Sequence, residues 1–130
     1  MFKAQNRTNS SKVYAFNVRR EKWEATNLLP SLNTPRHNLS ACTIDDTVYV
    51  YGGSISDVKD LNTIEFLTVR SLVNGLYTQI PTWTTIEITE LCARRCALLC
   101  QFPQSGELLI YGGHDGKSCV SDGVIFNTTT

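Results

Sequence analysis

Short runs of β-branched and aromatic residues, separated by turn residues, dominate the hydrophobic pattern of the chain. The clearest run is Thr47–Tyr51, which reads Thr-Val-Tyr-Val-Tyr and stops at Gly52-Gly53. Such residues favour strands, and glycine pairs end them. No long segment has the 3.6-residue apolar period of an amphipathic helix, although residues 90–99 are ambiguous. The pattern therefore predicts an all-β fold, with further strands over residues 13–17, 23–28, 36–44, 61–69, 82–89, 107–111 and 119–127.

The same order of residues recurs at an offset of about 60 residues, a spacing typical of solenoids, arrays and propellers. A repeat that holds four short strands matches one blade of a β-propeller. The aligned positions are Trp23 with Trp83, Gly52-Gly53 with Gly112-Gly113, Phe66 with Phe126 and, one residue out of register, Arg36 with Arg95.

These aligned residues resemble the kelch repeat, in which an Arg opens the inner strand, Gly-Gly ends the second strand, and an aromatic residue and a Trp mark the outer strands. Glycine allows the sharp turn, because it reaches positive φ without steric cost. Trp suits packing between blades, and the Arg fork suits a tie between strand ends. The structural motif that the resemblance implies comprises Trp23, Arg36, Gly52, Gly53, Trp83, Arg95, Gly112 and Gly113.

The resemblance implies kelch-type β-propeller blades, about two and a half four-stranded antiparallel units in all. Residues 12–29 form the end of one blade, 36–88 a full blade and 92–128 a partial blade, after a flexible segment at 1–11. The central repeat departs from the kelch pattern by an insertion at 70–81, a surface loop with either a tolerated or a binding role. Because open ends expose apolar faces, either further blades belong to a longer chain or several copies assemble.

Charge and cysteine content narrow the class of partner. The chain has 12 basic and 12 acidic residues and a formal net charge of zero, which gives no electrostatic basis for binding nucleic acid or an anionic membrane. No stretch has the roughly 18 apolar residues of a membrane helix. The polar N-terminal residues and the odd number of cysteines, 5, predict reduced thiols and a cytoplasmic location.

Two groups of residues suggest chemistry, but each has a simpler interpretation. Cys92, Cys96 and Cys100 would share one face of a helix and, with His114 or Cys119, could hold zinc. Their spacing is not a common zinc spacing, however, and cysteine also serves as a small core residue. The pair His114-Asp115 could act in acid–base chemistry, yet His-Asp-Gly is an ordinary turn sequence. We predict no catalytic residue, metal or cofactor, and hence no enzyme.

The resemblance implies a protein-interaction module, a scaffold or adaptor that binds a protein partner. In kelch propellers the loops between strands two and three, and the loops between blades, lie on one face that often holds the partner. By position these are residues 54–60 and 114–118, and residues 29–35 and 90–94. The alternatives are an enzyme with a metal or small-molecule site near the axis and a truncated chain with no function of its own. The candidate partner-binding residues are Asp57, Lys59, His114, Asp115 and Lys117.

Overall fold

The computed structural model describes residues 9–26, 28–69 and 81–129, and every helix or strand assigned within them is a β-strand, which confirms the all-β prediction. The predicted insertion at 70–81 lies outside the described residues except for Pro81, and so do residues 1–8 of the predicted flexible segment. The strands are β1 (Phe16–Asn17), β2 (Lys22–Trp23), β3 (Ser40–Ile44), β4 (Thr47–Tyr51), β5 (Ser54–Ser56), β6 (Lys59–Asp60), β7 (Thr63–Thr68), β8 (Thr84–Glu87), β9 (Leu98–Gln101), β10 (Glu107–Tyr111) and β11 (Gly123–Asn127).

The strands form antiparallel sheets in chain order. The central sheet has the order β3-β4-β7-β8, and the C-terminal sheet has the order β9-β10-β11. Strands β1 and β2 pair in a two-stranded sheet, and so do β5 and β6. The ambiguous segment at 90–99 contains no helix; instead Leu98 opens β9. Most of the predicted strands are shorter than expected: β2 ends at Trp23 and β3 begins at Ser40, for example. Strands β4 and β10 keep their predicted bounds.

Side chains of the central sheet alternate between two apolar layers, as the two-residue period of a strand requires. One face carries Tyr49, Tyr51 and Ile64, which form one core cluster with Leu108 and Ile110 of the C-terminal sheet. We call it the downstream face. The opposite, upstream face carries Val50, Leu67 and Trp83, and it packs against Val13, Leu29 and Leu32 of the N-terminal part of the chain. The core therefore lies between stacked sheets, as in neighbouring propeller blades.

Trp83 closes the upstream layer. Its ring is buried, and its indole N–H donates to the carbonyl oxygen of Pro30 at 2.9 Å. A buried indole needs such an acceptor. Trp23, its counterpart in the sequence repeat, is 69% exposed and packs edge-on against Phe16. The two Trp residues thus occupy similar sequence positions but differ in what covers them.

Both glycine pairs adopt the backbone that the sequence predicts. Gly52 and Gly53 have φ angles of 63° and 89°, and Gly112 and Gly113 have 67° and 96°. A Cβ on Gly53 would lie 2.5 Å from the carbonyl oxygen of His37. Since positive φ and close backbone approach both exclude other residues, glycine is required where the chain leaves the second strand.

The structure corrects the arginine of the repeat motif: Arg94, not Arg95, corresponds to Arg36. Arg36 donates to the carbonyl oxygen of Gly52 at 3.0 Å, and Arg94 donates to that of Gly112 at 3.2 Å. The sequence separations are 16 and 18 residues, because the turn between β9 and β10 is longer than the turn between β3 and β4. Arg95 instead occupies the position of His37.

The alignment of Phe66 with Phe126 is also wrong by one residue. Val48 pairs with Leu67, and its equivalent Leu108 pairs with Phe126, so Phe126 corresponds to Leu67. The cause is the length of chain between paired residues of the second and third strands: residues 52–63 lie between Tyr51 and its partner Ile64, whereas residues 112–122 lie between Tyr111 and its partner Gly123. A difference of one residue moves a side chain to the other face of a sheet.

Tyr51 lies between the two sheets, and its hydroxyl has no hydrogen-bond partner within the described ranges. Burial raises the pKa of Tyr51 to about 12 from the ordinary value of 10. Below pH 10 the folded and unfolded chains both keep this proton. Between pH 10 and 12 only the unfolded chain loses it, so the free energy of unfolding falls by about 2–3 kcal/mol.

We expect Tyr51→Phe to remove this alkaline loss of stability and to be neutral or stabilising at neutral pH, because an unpaired buried hydroxyl costs free energy. Urea unfolding followed across the alkaline range measures the effect. Tyr111→Phe is the matched control, since Tyr111 is the exposed equivalent of Tyr51, and it should keep the wild-type alkaline slope. Identical alkaline slopes for the wild type and Tyr51→Phe would contradict the assignment.

Candidate functional site

The predicted polar loop at 54–60 is a two-stranded hairpin, β5–β6, with Asp57 and Val58 at its tip. Its base is held by Ser54, whose buried hydroxyl donates to the Asp60 carboxylate at 2.5 Å. The hairpin directly follows the Gly52-Gly53 turn, so the central sheet fixes its position. At the tip, Val58 is 95% exposed, an apolar side chain between two charged neighbours.

The equivalent loop of the next repeat, 114–118, is ordered by one carboxylate. The Asp115 Oδ1 atom accepts the backbone N–H groups of Lys117 and Ser118, both at 2.8 Å. These hydrogen bonds, that of Ser118 first, hold the pKa of Asp115 below its ordinary value. The Gly116 N–H donates to His114 Nδ1 at 3.0 Å. This nitrogen is therefore an acceptor.

A cleft of about 460 Å³ separates these two loops. An ion pair crosses its floor: Arg95 Nη1 lies 3.3 Å from Asp60 Oδ1. The Asp60 side chain is buried, whereas the Arg95 side chain is partly exposed. The Arg95 guanidinium is therefore accessible to solvent in the cleft. The lining residues are Asp57, Val58, Lys59, Asp60, Ala93, Arg95, Asp115 and Gly116.

The structure brings most of the predicted binding residues to this cleft. Asp57, Lys59 and Asp115 line it. His114 supports it from the side, since its Nδ1 atom is 3.4 Å from Arg95 Nη2. Lys117 is exposed on the same loop. The predicted inter-blade loop at 90–94 contributes Ala93.

Sequence reasoning missed three contributors to the cleft. Val58 has no motif around it. Asp60 and Arg95 belong to different repeats, and their pairing is a contact between neighbouring blades. The sequence alignment matched Arg95, instead of the adjacent Arg94, with Arg36, and so assigned Arg95 a structural role. Arg95 corresponds to His37 of the preceding repeat, since each forms an isolated bridge with the residue after a Gly-Gly pair. His37 lines the equivalent cleft beside Asn9, and this correspondence identifies Arg95 as a cleft residue.

A second cleft, of about 560 Å³, lies on the other side of the hairpin. His37 Nδ1 is 2.8 Å from the Asn9 side-chain oxygen, and the Asn9 amide donates to the Ile55 carbonyl oxygen at 2.5 Å. Residue 9 of the predicted flexible segment is thus anchored. The lining residues are Asn9, His37, Asn38, Ile55, Ser56 and Asp57, so Asp57 stands in both clefts.

The arrangement of the cysteines does not match the helical zinc-site alternative. Cys100 lies in β9, while the Cys92 sulfur accepts a hydrogen bond from Arg94 at 3.1 Å, and all five thiols are free. Within residues 9–26, 28–69 and 81–129, no group of three His, Cys, Asp or Glu side chains is arranged to hold a metal ion.

The His114-Asp115 pair has no catalytic geometry, because the Asp115 carboxylate bonds to backbone N–H groups and the ring accepts from Gly116 and faces Arg95. The described segments contain no helix with the length and hydropathy needed to cross a membrane.

Comparison with known proteins agrees with this geometry. A family model described as the KLHDC2/KLHL20/DRC7 Kelch-repeats domain matches residues 2–130. Human Kelch-like protein 28 is 31% identical over 93 residues, which is 69% of this chain and 15% of that protein. The solved structure of YjhT superposes with a TM-score of 0.61 at 8% identity, covering 79% of this chain and 27% of that structure.

The chain spans only a small part of the proteins it matches, so these matches report the repeat and its fold. A match over nearly every residue, together with stacked antiparallel sheets and the Gly-Gly turns, agrees with the kelch resemblance seen in the sequence. The chain belongs to the kelch-repeat family of β-propeller proteins, whose domains are generally protein-interaction modules.

Proposed function

We propose that this chain acts as a scaffold or adaptor module that binds a protein partner on the face formed by the β5–β6 hairpin and the 114–118 loop. The observation that carries the proposal is the cleft between these loops, whose rim is charged and whose edge presents the exposed Val58. An apolar anchor surrounded by polar groups is the usual anatomy of a binding hot spot.

The charges around the cleft favour a polar partner surface of mixed sign. Asp57, Asp115, Lys59 and the partly exposed Arg95 guanidinium all line the cleft. Such an arrangement supplies specificity through complementary charge pairs rather than attraction to a strongly charged polymer. This reasoning supports a protein partner over nucleic acid, and the net charge of zero points the same way.

The alternative of an enzyme with an axial metal or small-molecule site receives no support from the described residues. Two carboxylates of the cleft already accept hydrogen bonds: Asp60 from Ser54 and Arg95, and Asp115 from the backbone. They fix loops, and no nucleophile with a positioned base lies among the contacts of the cleft. A cytoplasmic location stays a prediction.

The test is capture of partner proteins by the immobilised chain, with quantitative mass spectrometry of what is bound. The hairpin-tip variant carries Asp57→Ala, Val58→Ser and Lys59→Ala. We expect it to lose partner binding by about tenfold or more, since removing a hot spot costs 2 kcal/mol or more. These side chains are exposed, so folding should be unaffected.

A matched control exists in the turn between β1 and β2, which also presents an exposed apolar, a basic and an acidic residue. This control carries Val18→Ser, Arg19→Ala and Glu21→Ala and should bind like the wild type. Equal capture of the same proteins by wild type and tip variant would show that the face assignment is wrong.

A further inference from the structure

An apolar face of the C-terminal sheet is uncovered by any other part of the described chain. Leu98, Tyr111 and Ile125 project from β9, β10 and β11, and they are 52%, 47% and 49% exposed. They lie on one side of the sheet, because Leu98 pairs with Tyr111 and Ile125 pairs with Leu109 two residues away. This is the downstream face of the C-terminal sheet.

The repeat shows what kind of surface fits this face. Tyr111 corresponds to Tyr51, and Ile125 corresponds to Phe66, by the register of the two sheets. In the central sheet these positions are covered by Leu108, Ile110 and the ring of Phe126. The downstream face is therefore built to receive the upstream face of another sheet of the same repeat.

An upstream face at the other end of the stack is likewise uncovered by the residues that the structure describes. Phe16 and Trp23 pair across β1 and β2, and their rings contact each other with centroids 5.2 Å apart. Tyr14 adds a second edge contact to Trp23. All three are exposed. Their counterparts Leu67 and Trp83 are buried on the upstream face of the central sheet.

We propose that copies of this chain associate head to tail, with the Trp23 face of one copy packed on the Tyr111 face of the next. The interface continues the sheet-on-sheet packing that already joins the central and C-terminal sheets within one copy. Clusters of exposed aromatic and aliphatic side chains are rare on monomers. The formal net charge of zero also means that copies of the chain do not repel one another through net charge. Because the two faces differ, the contact is heterologous and generates a ring or a chain of copies.

Light scattering of the whole chain over a range of concentrations tests the proposal. We expect a molar mass at least twice the monomer value of 14.5 kDa. Tyr111→Lys and Trp23→Lys should each give monomers, because every copy in either sample lacks one of the two faces that a contact needs. An equimolar mixture of the two variants should give a heterodimer, because each supplies the intact face that the other lacks. Val58→Lys, at an exposed apolar residue outside both faces, should assemble like the wild type.

Three outcomes overturn the proposal. The first is a folded monomer of wild type at every concentration, which would mean that the two faces do not bind each other. The second is assembly that survives Trp23→Lys but not Tyr111→Lys, which would indicate contact between identical faces. The third is the absence of a heterodimer in the mixture. Circular dichroism checks folding of each variant, and Ile125→Lys repeats the test on the downstream face if Tyr111→Lys does not fold.

Discussion

Replacing Glu65 with alanine is expected to lower the free energy of unfolding by about 3–5 kcal/mol. The Glu65 side chain is fully buried, and so is that of its partner Arg36. The carboxylate also accepts the backbone N–H groups of Asn33 at 2.7 Å and Thr34 at 3.0 Å. Its removal leaves a buried guanidinium without its counter-charge and two backbone donors without their acceptor, and both losses are costly.

Urea unfolding of Glu65→Ala measures this loss, and the equivalent ion pair of the next repeat provides the control. Asp122 pairs with Arg94 at 2.8 Å, but the Asp122 side chain is 60% exposed. Hydrogen bonds from Arg94 hold the pKa of Asp122 below its ordinary value. The Arg94 side chain is buried, but solvent reaches the carboxylate end of this pair. Asp122→Ala should therefore cost much less than Glu65→Ala. Equal losses would contradict the structural difference between the two sites.

Trp83→Ala is expected to lower the free energy of unfolding by about 3–5 kcal/mol, the usual cost of removing a large buried aromatic ring. The substitution opens a cavity between Val50, Leu67 and Leu29. It also removes the indole N–H that donates a hydrogen bond to the Pro30 carbonyl oxygen. The loss should reduce the tie between the central sheet and the N-terminal segment.

Chemical unfolding monitored by circular dichroism measures the effect of Trp83→Ala. The control Trp23→Ala removes the same side chain at the equivalent but exposed position. At protein concentrations low enough to keep the chain monomeric it should leave stability nearly unchanged. A Trp83→Ala protein as stable as Trp23→Ala would show that the ring is not part of the core.

Strand order and the glycine turns are predictable from the sequence because each depends on neighbouring residues. The bounds of strands β4 and β10 are predictable to the residue. Each strand is a run of strand-forming residues that ends at a glycine pair, and the turn that follows needs the positive φ that glycine allows. The partner of Arg36 is not predictable in this way. Glu65 reaches it across the sheet, and no local pattern distinguishes this carboxylate from an exposed one.

The candidate binding face is only partly predictable from the sequence, because some of its contacts join residues of different repeats. Loops that join equivalent strands lie on the same side of a repeat protein, so residues such as Asp57 and Asp115 can be assigned from register alone. Arg95 and Asp60 meet across two repeats, and their contact depends on how the blades are rotated. The two register errors, at Arg95 and at Phe126, have one cause: turns and connections that differ in length between otherwise matching repeats.

The β5–β6 hairpin lies between two clefts, so substitutions in it affect both of them. Asp57 forms part of both walls, so neighbouring recesses share side chains instead of owning separate sets. A substitution at the tip changes two sub-surfaces at once. A ligand that displaces the hairpin from one recess reshapes the other as well. For the polypeptide partner proposed above, selectivity at the two clefts is therefore coupled through Asp57, and a substitution there cannot alter one cleft alone.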